Sequence, residues 1–401
     1  MRELNSKKIE DLQFLRGIAI LLVLCAHWQL PMLPFLALGL QDPGWIGVQL
    51  FFVLSGYVVT KSLARGGYEP ISFMVRRFFR LYPALLTFIA FSFFVNYLIK
   101  AVYPVGTMAI YAAPYRLAQQ SIALLTWSFP DASGQSFTNG ALWSLAVEFW
   151  FYAGFATFSF LIRLFTRKPG VIKSVISGSA VALWIFMITG RAMIYLGYHP
   201  PLPFLITFDY MTLGVILAVF DLPERFRTTF ARIGSFWPIV LVAVLAMIAF
   251  SRSGATAATP PIHDALQIAL PLSGICFAIL IMCGAVGSIL PTMPKWLGKA
   301  MCLLGDRSYT IFLFHYPCFI PAFGIMLIVY PRLAGGDIPG MIAQVVSSAI
   351  VFLIVAEVVY RLIEMPMQRV GKTVERRLRA GTWESRTAPP AAETPSLVPP
   401  R

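Results

Sequence analysis

Charge is scarce in this sequence. Only 12% of its 401 residues are Asp, Glu, Lys or Arg, while 58% are hydrophobic. Soluble domains carry roughly a quarter charged residues, so a large water-soluble domain is excluded. Acids are the scarcer sign, 18 against 32 Lys and Arg, for a net charge of +14. That excess does not point to nucleic acid, because the basic residues are dispersed over loops without a helix-turn-helix pattern, zinc spacing or aromatic-basic strand motif. Cysteine is sparse too. Cys25, Cys276, Cys283, Cys302 and Cys318 form no CxxC pair, which indicates neither a disulfide framework nor a metal site and makes buried thiols the preferred reading. No repeat of solenoid period is present.

What the chain has in abundance is long apolar runs. A membrane span needs roughly 17 to 25 mostly apolar residues. The expected fold is therefore an all-α integral membrane protein, a bundle of about ten transmembrane helices with both termini cytoplasmic. The candidate spans are roughly 12–30, 45–65, 80–100, 141–162, 174–195, 204–220, 236–252, 264–290, 309–330 and 340–362. With a cytoplasmic N-terminus, Lys and Arg collect in the even-numbered gaps, as the positive-inside rule requires. The exceptions are Lys100, Arg116, Arg191, Arg252 and Arg332. Lys7 and Lys8 before the apolar run Phe14–Trp28 resemble a signal peptide, but Arg16 and His27 interrupt the run and no small-x-small cleavage site follows. It is read as a retained first helix. The outer segment 101–140 holds a short apolar stretch, 117–129, expected to be re-entrant or interfacial. Residues 1–366 form the transmembrane domain, and 367–401 a basic, then disordered, cytoplasmic tail rich in Pro, Ala, Thr and Glu.

An ionisable group at mid-membrane costs about 2.5 to 3.5 kcal/mol on insertion scales, so each one calls for a reason. Arg16 and His27 lie on one face of the first helix, ~16 Å apart along its axis. Arg16 belongs near the cytoplasmic surface and His27 deep in the outer half. Snorkelling to lipid phosphates would equally explain Arg16, and a packing role would explain His27. Ser144 and Glu148, spaced i, i+4, share a face. Glu148 needs a partner in lipid, and His27 at similar depth is the natural one; that pairing would orient the imidazole as a general base. Phe51-Phe52-Val53-Leu54-Ser55-Gly56 allows close helix approach, which explains it without a ligand. Arg76, Arg77 and Arg80 are a positive flank that also suits capture of phosphates. Ser308 is a reasonable helix cap and His315 more a structural than a catalytic residue. Asp209 and Glu364 either line a cavity or pair with an Arg.

Taken in order, these residues resemble the acyltransferase-3 group of membrane acyltransferases. The elements are Arg16 and His27 with ten residues between them, Phe51-Phe52 with Ser55-Gly56, Arg77 to Arg80, and Ser144 to Glu148. Gly305-Asp306 with Ser308-Tyr309 and a later His315, and Glu364 before Pro366, complete them. The resemblance spans residues 16 to 366. It implies transfer of an acyl group, most commonly acetyl from acetyl-CoA, to a hydroxyl of an extracytoplasmic saccharide such as an O-antigen or exopolysaccharide, or to a small natural product such as a macrolide. It also implies the form without an appended esterase-like domain, in the inner (plasma) membrane, with membrane lipids as surroundings and no metal. The site residues it suggests are His27, Glu148 and Ser144 for catalysis, Arg16, Arg77, Arg80, Ser55 and Gly56 for the donor, and Asp209, Tyr309 and His315 lining the cavity. Direct transfer and an acyl-enzyme on His27 or Ser55 both stay open. A polysaccharide or lipid transporter would share the span count and buried charges, but should show inverted repeats with broken half-helices, which are not seen here. Trp45, Trp127 and Phe129 in the outer loops suit stacking on sugar rings, and an interfacial aromatic belt explains them equally well.

Overall fold

A computed structural model describes residues 2–27, 43–102, 122, 125, 143–195, 198, 208–238, 240, 260–315, 317–318 and 338–387, and every element among them is a helix. The chain runs through α1 (Arg2–His27), α2 (Pro43–Arg65), α3 (Pro70–Val102), α4 (Trp143–Phe165), α5 (Pro169–Tyr195) and α6 (Asp209–Val219). Then come α7 (Pro260–Val286), α8 (Lys295–Asp306), α9 (308–315) and α10 (Ile338–Val359). A single π-helical turn, Tyr360–Glu364, joins α10 to the final helix α11 (Met365–Thr387).

Five stretches are long and apolar enough to cross a membrane: Ile46–Arg65, Pro70–Val95, Trp143–Phe165, Pro169–Met193 and Val345–Arg379. The chain is thus an all-α, multi-pass membrane protein. The expected bundle of about ten transmembrane helices is corrected to several long apolar helices, five among the described residues. Apolarity without length accounts for part of the difference. Asp209–Val219 has 11 residues, ~16 Å of helix against a hydrocarbon core of ~30 Å. The first helix opens with Arg2, Glu3, Lys7, Lys8, Glu10 and Asp11, so its apolar run begins only at Leu12. The helices expected over 236–252 and 309–330 lie largely outside the described residues, as do the outer segments 31–44 and 101–140. The topology with both termini inside rested on ten spans and falls with that count.

Local chemistry sets the helix boundaries. Before α3 the chain reverses through Gly67 and Tyr68, both in the left-handed region (φ 66° and 59°). The Glu69 carboxylate then accepts hydrogen bonds from the N–H groups of Ile71 (3.2 Å) and Ser72 (2.6 Å). Pro70 occupies the first helical position, where its missing N–H costs nothing. At the far end of α6, Asp221 (φ 52°) accepts from Lys61 on α2 and from Lys173 on α5 (2.6 Å), tying three helices at one end of the bundle. Lipid tails supply no hydrophobic drive between helices, so close packing must hold them. Gly56 on α2 and Gly214 on α6 provide it: a Cβ on either would run into backbone of the other helix. Gly17 and Gly305 do the same between α1 and α8. The outward faces of the long helices carry exposed Phe93, Phe94, Phe160, Leu161 and Ile354, the surface that a bilayer would cover.

Candidate active site

Two cavities share Arg16 of α1 and Arg80 of α3 in their walls. The wider one, about 850 Å³, opens at the basic end of the bundle. Arg16 of α1 and Arg76, Arg77 and Arg80 of α3 line it, with Lys61 and Arg65 of α2 on one side and Lys372 of α11 on another; among the described residues Glu224 is the one acid in its wall. Two of these cations have acidic partners, Lys61 with Asp221 and Arg76 with Glu375. Among the described residues, Arg16, Arg65, Arg77, Arg80 and Lys372 form no ion pair. A concentration of like charge at the membrane edge costs free energy unless an anion compensates it. Arg77 is 7% exposed, and its guanidinium lies 5.4 Å from the Phe73 ring centre and 5.1 Å from that of Tyr152. Two aromatic faces thus compensate part of its desolvation.

The narrower chamber, about 70 Å³, continues inward. Arg16 and Arg80 line both spaces. Ser55, Ser144, Glu148, Ser308 and Tyr309 also face the chamber, with Phe51, Phe52 and Phe312 among its apolar wall. Glu148 Oε1 accepts hydrogen bonds from Ser55 Oγ (2.6 Å) and from the Tyr152 hydroxyl, whose oxygens are themselves 2.8 Å apart. Tyr309 donates its hydroxyl to the Leu81 carbonyl (2.8 Å), fixing α9 against α3. Four hydroxyls, of Ser55, Ser144, Ser308 and Tyr309, and a carboxylate in one small volume of a low-dielectric region can orient a reacting hydroxyl or carbonyl with little reorganisation.

His27 sits beyond this chamber. Its ring centre is 4.9 Å from that of His315, which in turn lies 6.2 Å from Phe312 in the chamber wall. His27 Nδ1 is 2.7 Å from the Val23 carbonyl oxygen, and His315 Nδ1 is 2.9 Å from that of Phe312. A carbonyl can only accept, so in each bond Nδ1 carries the proton and Nε2 is the basic nitrogen.

The residues singled out from sequence are therefore distributed unevenly. Arg16, Ser55, Arg80, Ser144, Glu148 and Tyr309 converge on the chamber, and Arg77 lies in the basic cavity beneath it. The anticipated Glu148 to His27 pairing is not the arrangement found: Glu148 is held by Ser55 and Tyr152, and His27 by the Val23 carbonyl. Gly56 packs on the Met211 backbone outside both cavities. Asp209 pairs with Arg191 (2.6 Å), whose guanidinium also lies 5.9 Å from the Tyr210 ring centre, at the opposite end of α6 from Asp221. Tyr152 went unnoticed in the sequence, although it stands four residues after Glu148 and the i, i+4 rule puts it on the same face. Lys61, Arg65 and Lys372 were missed because an exposed-looking charge near a helix end is ordinarily a solvated one, and Gln368 because a single neutral amide beside them draws no attention. Among the described residues, no group of three or more His, Cys, Asp or Glu side chains is placed to hold a metal ion.

Comparison with known proteins gives a consistent result. The acyltransferase-3 family, described as an acyltransferase domain, matches residues 9–361. A provisionally named O-acetyltransferase of Staphylococcus aureus is 26% identical over 402 residues, 94% of this chain and 59% of the relative. Peptidoglycan O-acetyltransferase OatA of Listeria monocytogenes is 26% identical over 386 residues, 92% of this chain and 57% of its own length. A provisionally named membrane-bound transacylase, BcsY, of Komagataeibacter xylinus is 25% identical over 358 residues, 86% of this chain and 81% of its own. The chain thus spans somewhat under two thirds of the first two relatives. No solved structure matches.

Proposed function

Because this chain belongs to the acyltransferase-3 family of membrane proteins, we propose that it moves an acyl group, acetyl in the simplest case, from cytoplasmic acyl-CoA to a hydroxyl of an extracytoplasmic saccharide. The observation that carries this reading is that Arg16 and Arg80 line both cavities. A ligand with a polyanionic head and a slender arm fits that shape, its head among the guanidinium groups and its arm ending beside Ser144 and Glu148. The positive-inside rule favours the cytoplasmic face for the basic end of the bundle, and on this reading the head lies where acyl-CoA is available. The rise of ~16 Å from Arg16 to His27 leads toward the other face, where a cell-surface glycan would be met. The names of the relatives, O-acetyltransferases of bacteria and among them one acting on peptidoglycan, support a saccharide acceptor in the plasma membrane of a bacterium.

In this mechanism Arg77 and Arg80 hold donor phosphates through charge-assisted hydrogen bonds. His27 Nε2 takes the proton of the acceptor hydroxyl as its oxygen bonds to the thioester carbonyl carbon. Ser144 donates to the oxygen on which negative charge develops. The carbon–sulfur bond then breaks, and the proton held by His27 passes to the leaving thiolate, so that ester and free CoA result and the imidazole is restored. Glu148, with Oε1 fixed by Ser55 and Tyr152, has Oε2 to orient the acceptor hydroxyl.

The test is release of free CoA from acetyl-CoA by the purified protein in detergent, with and without a bacterial oligosaccharide, for wild type and His27→Ala. Release that requires both the acceptor and His27 is expected, with the variant still folded. Absence of release together with absence of acetyl-CoA binding would overturn the reading and favour a transporter.

A further inference from the structure

The family match ends at residue 361, yet the wider cavity does not. Its wall is completed by Gln368 and Lys372, both on α11, beyond that boundary. The helix is also firmly attached to α3. Glu375 receives the Arg76 guanidinium and, at 2.9 Å, that of Arg379. Gly371 lies so close to α3 that a Cβ there would be 2.7 Å from the Phe79 Cβ. Gln368 in turn donates to Glu364 Oε1 (3.0 Å) in the π-helical turn, so the position of α11 is fixed from its first turn to the middle of the helix.

The cations of the cavity are graded in depth. Arg16 and Arg80 border the inner chamber, whereas Lys372 lines only the wide, basic end. Lys372 is exposed and has no ion-pair partner among the described residues. A donor whose thioester reaches the chamber carries its ribose phosphate monoester at the other extremity, farthest from the reacting carbon. Such a group has close to two negative charges at neutral pH and three acceptor oxygens.

Resting on the donor reading above, we propose that α11 is part of the donor site and that Lys372 binds the 3′-phosphate of the nucleotide end of acyl-CoA. Gln368 shapes the adjoining wall, and the Arg76–Glu375–Arg379 contacts position the helix. The C-terminal helix thereby gives the enzyme its preference for a full coenzyme A over donors that lack this phosphate.

Equilibrium binding to the full chain in phospholipid-free detergent tests this, since no lipid phosphate is then present to occupy the cations. The probes are acetyl-CoA and acetyl-3′-dephospho-CoA, and the proteins are wild type, Lys372→Ala and Lys372→Arg. Wild type is expected to bind acetyl-CoA on the order of ten-fold more tightly than the dephospho donor. Lys372→Ala should remove that preference by weakening acetyl-CoA alone, and Lys372→Arg should retain it. Equal affinity of wild type for the two donors, or an unchanged preference in Lys372→Ala, would overturn the assignment while leaving the donor reading intact. Failure of wild type to bind either donor would overturn both.

Discussion

Tyr152 joins the two halves of the site in one side chain. Its hydroxyl donates to Glu148 while its ring lies 5.1 Å from the Arg77 guanidinium. These two functions can be separated by substitution. Tyr152→Phe keeps the ring over Arg77 and removes the bond to Glu148, so turnover should fall about ten-fold, the kinetic equivalent of ~1.4 kcal/mol, with acetyl-CoA affinity unchanged. Tyr152→Ala removes both and should weaken donor binding as well. Steady-state rates read beside equilibrium binding distinguish the cases, and equal loss of affinity in both variants would count against the assignment. The same residue shows what the sequence left hidden. Arg16, Ser144 and Glu148 could be found because a polar group in an apolar run demands explanation, Arg80 as part of a basic run, and Ser55 and Tyr309 only through the family resemblance. A tyrosine in a helix rich in Phe and Trp demands none. The Glu148 to His27 pairing failed for a related reason: position along the chain gives depth in the membrane, but not the direction in which a helix face points around the bundle. Glu148 faces α2, and the Val23 carbonyl one turn earlier in α1 already holds His27.

Secondary structure was legible at the element scale because hydrophobic runs and helix breakers lie in the sequence in plain order; which runs are long enough to span was not. Asp209–Val219 stops after 11 residues where Asp221 takes up a left-handed conformation, a boundary held by tertiary contacts with Lys61 and Lys173 rather than by local propensity. Burial pushes the Asp221 carboxyl up, but the hydrogen bonds from Lys173 and Lys61 outweigh it and hold it below its ordinary value. A depressed carboxylate contributes stability above its unfolded pKa, near 3.9, and loses it as the pH falls through the lower folded value. Between pH 7 and pH 3, Asp221→Asn should therefore lose less thermal stability in detergent than wild type, and parallel pH profiles would remove the role given to this carboxylate. The packing of α2 on α6 makes a second prediction. Gly56→Leu drives a side chain into the Met211 backbone, and overpacking of this kind costs about 1 to 3 kcal/mol. It should lower the melting temperature in detergent, whereas a leucine at lipid-facing Gly154, which has nothing within 4 Å, should not.

For the molecule as a whole, the net charge of +14 is not spread evenly through the fold. Five arginines and two lysines from α1, α2, α3 and α11 converge on one cavity, while the opposite end of the bundle presents the His27–His315 pair and an Asp209 paired with Arg191. Such an arrangement focuses positive potential at one mouth and attracts an anion before any specific contact forms. Salt must oppose that attraction, because the Debye length shortens from about 10 Å at 0.1 M to 3 Å at 1 M. The affinity for acetyl-CoA should consequently fall at least ten-fold across that range in the purified protein. Acetyl-pantetheine, which has the same thioester and arm but no phosphate, should bind weakly and with little dependence on salt. If the two ligands instead lost affinity in parallel, the arm rather than the cationic cavity would dominate binding, and the division of labour between the wide cavity and the inner chamber would have to be abandoned.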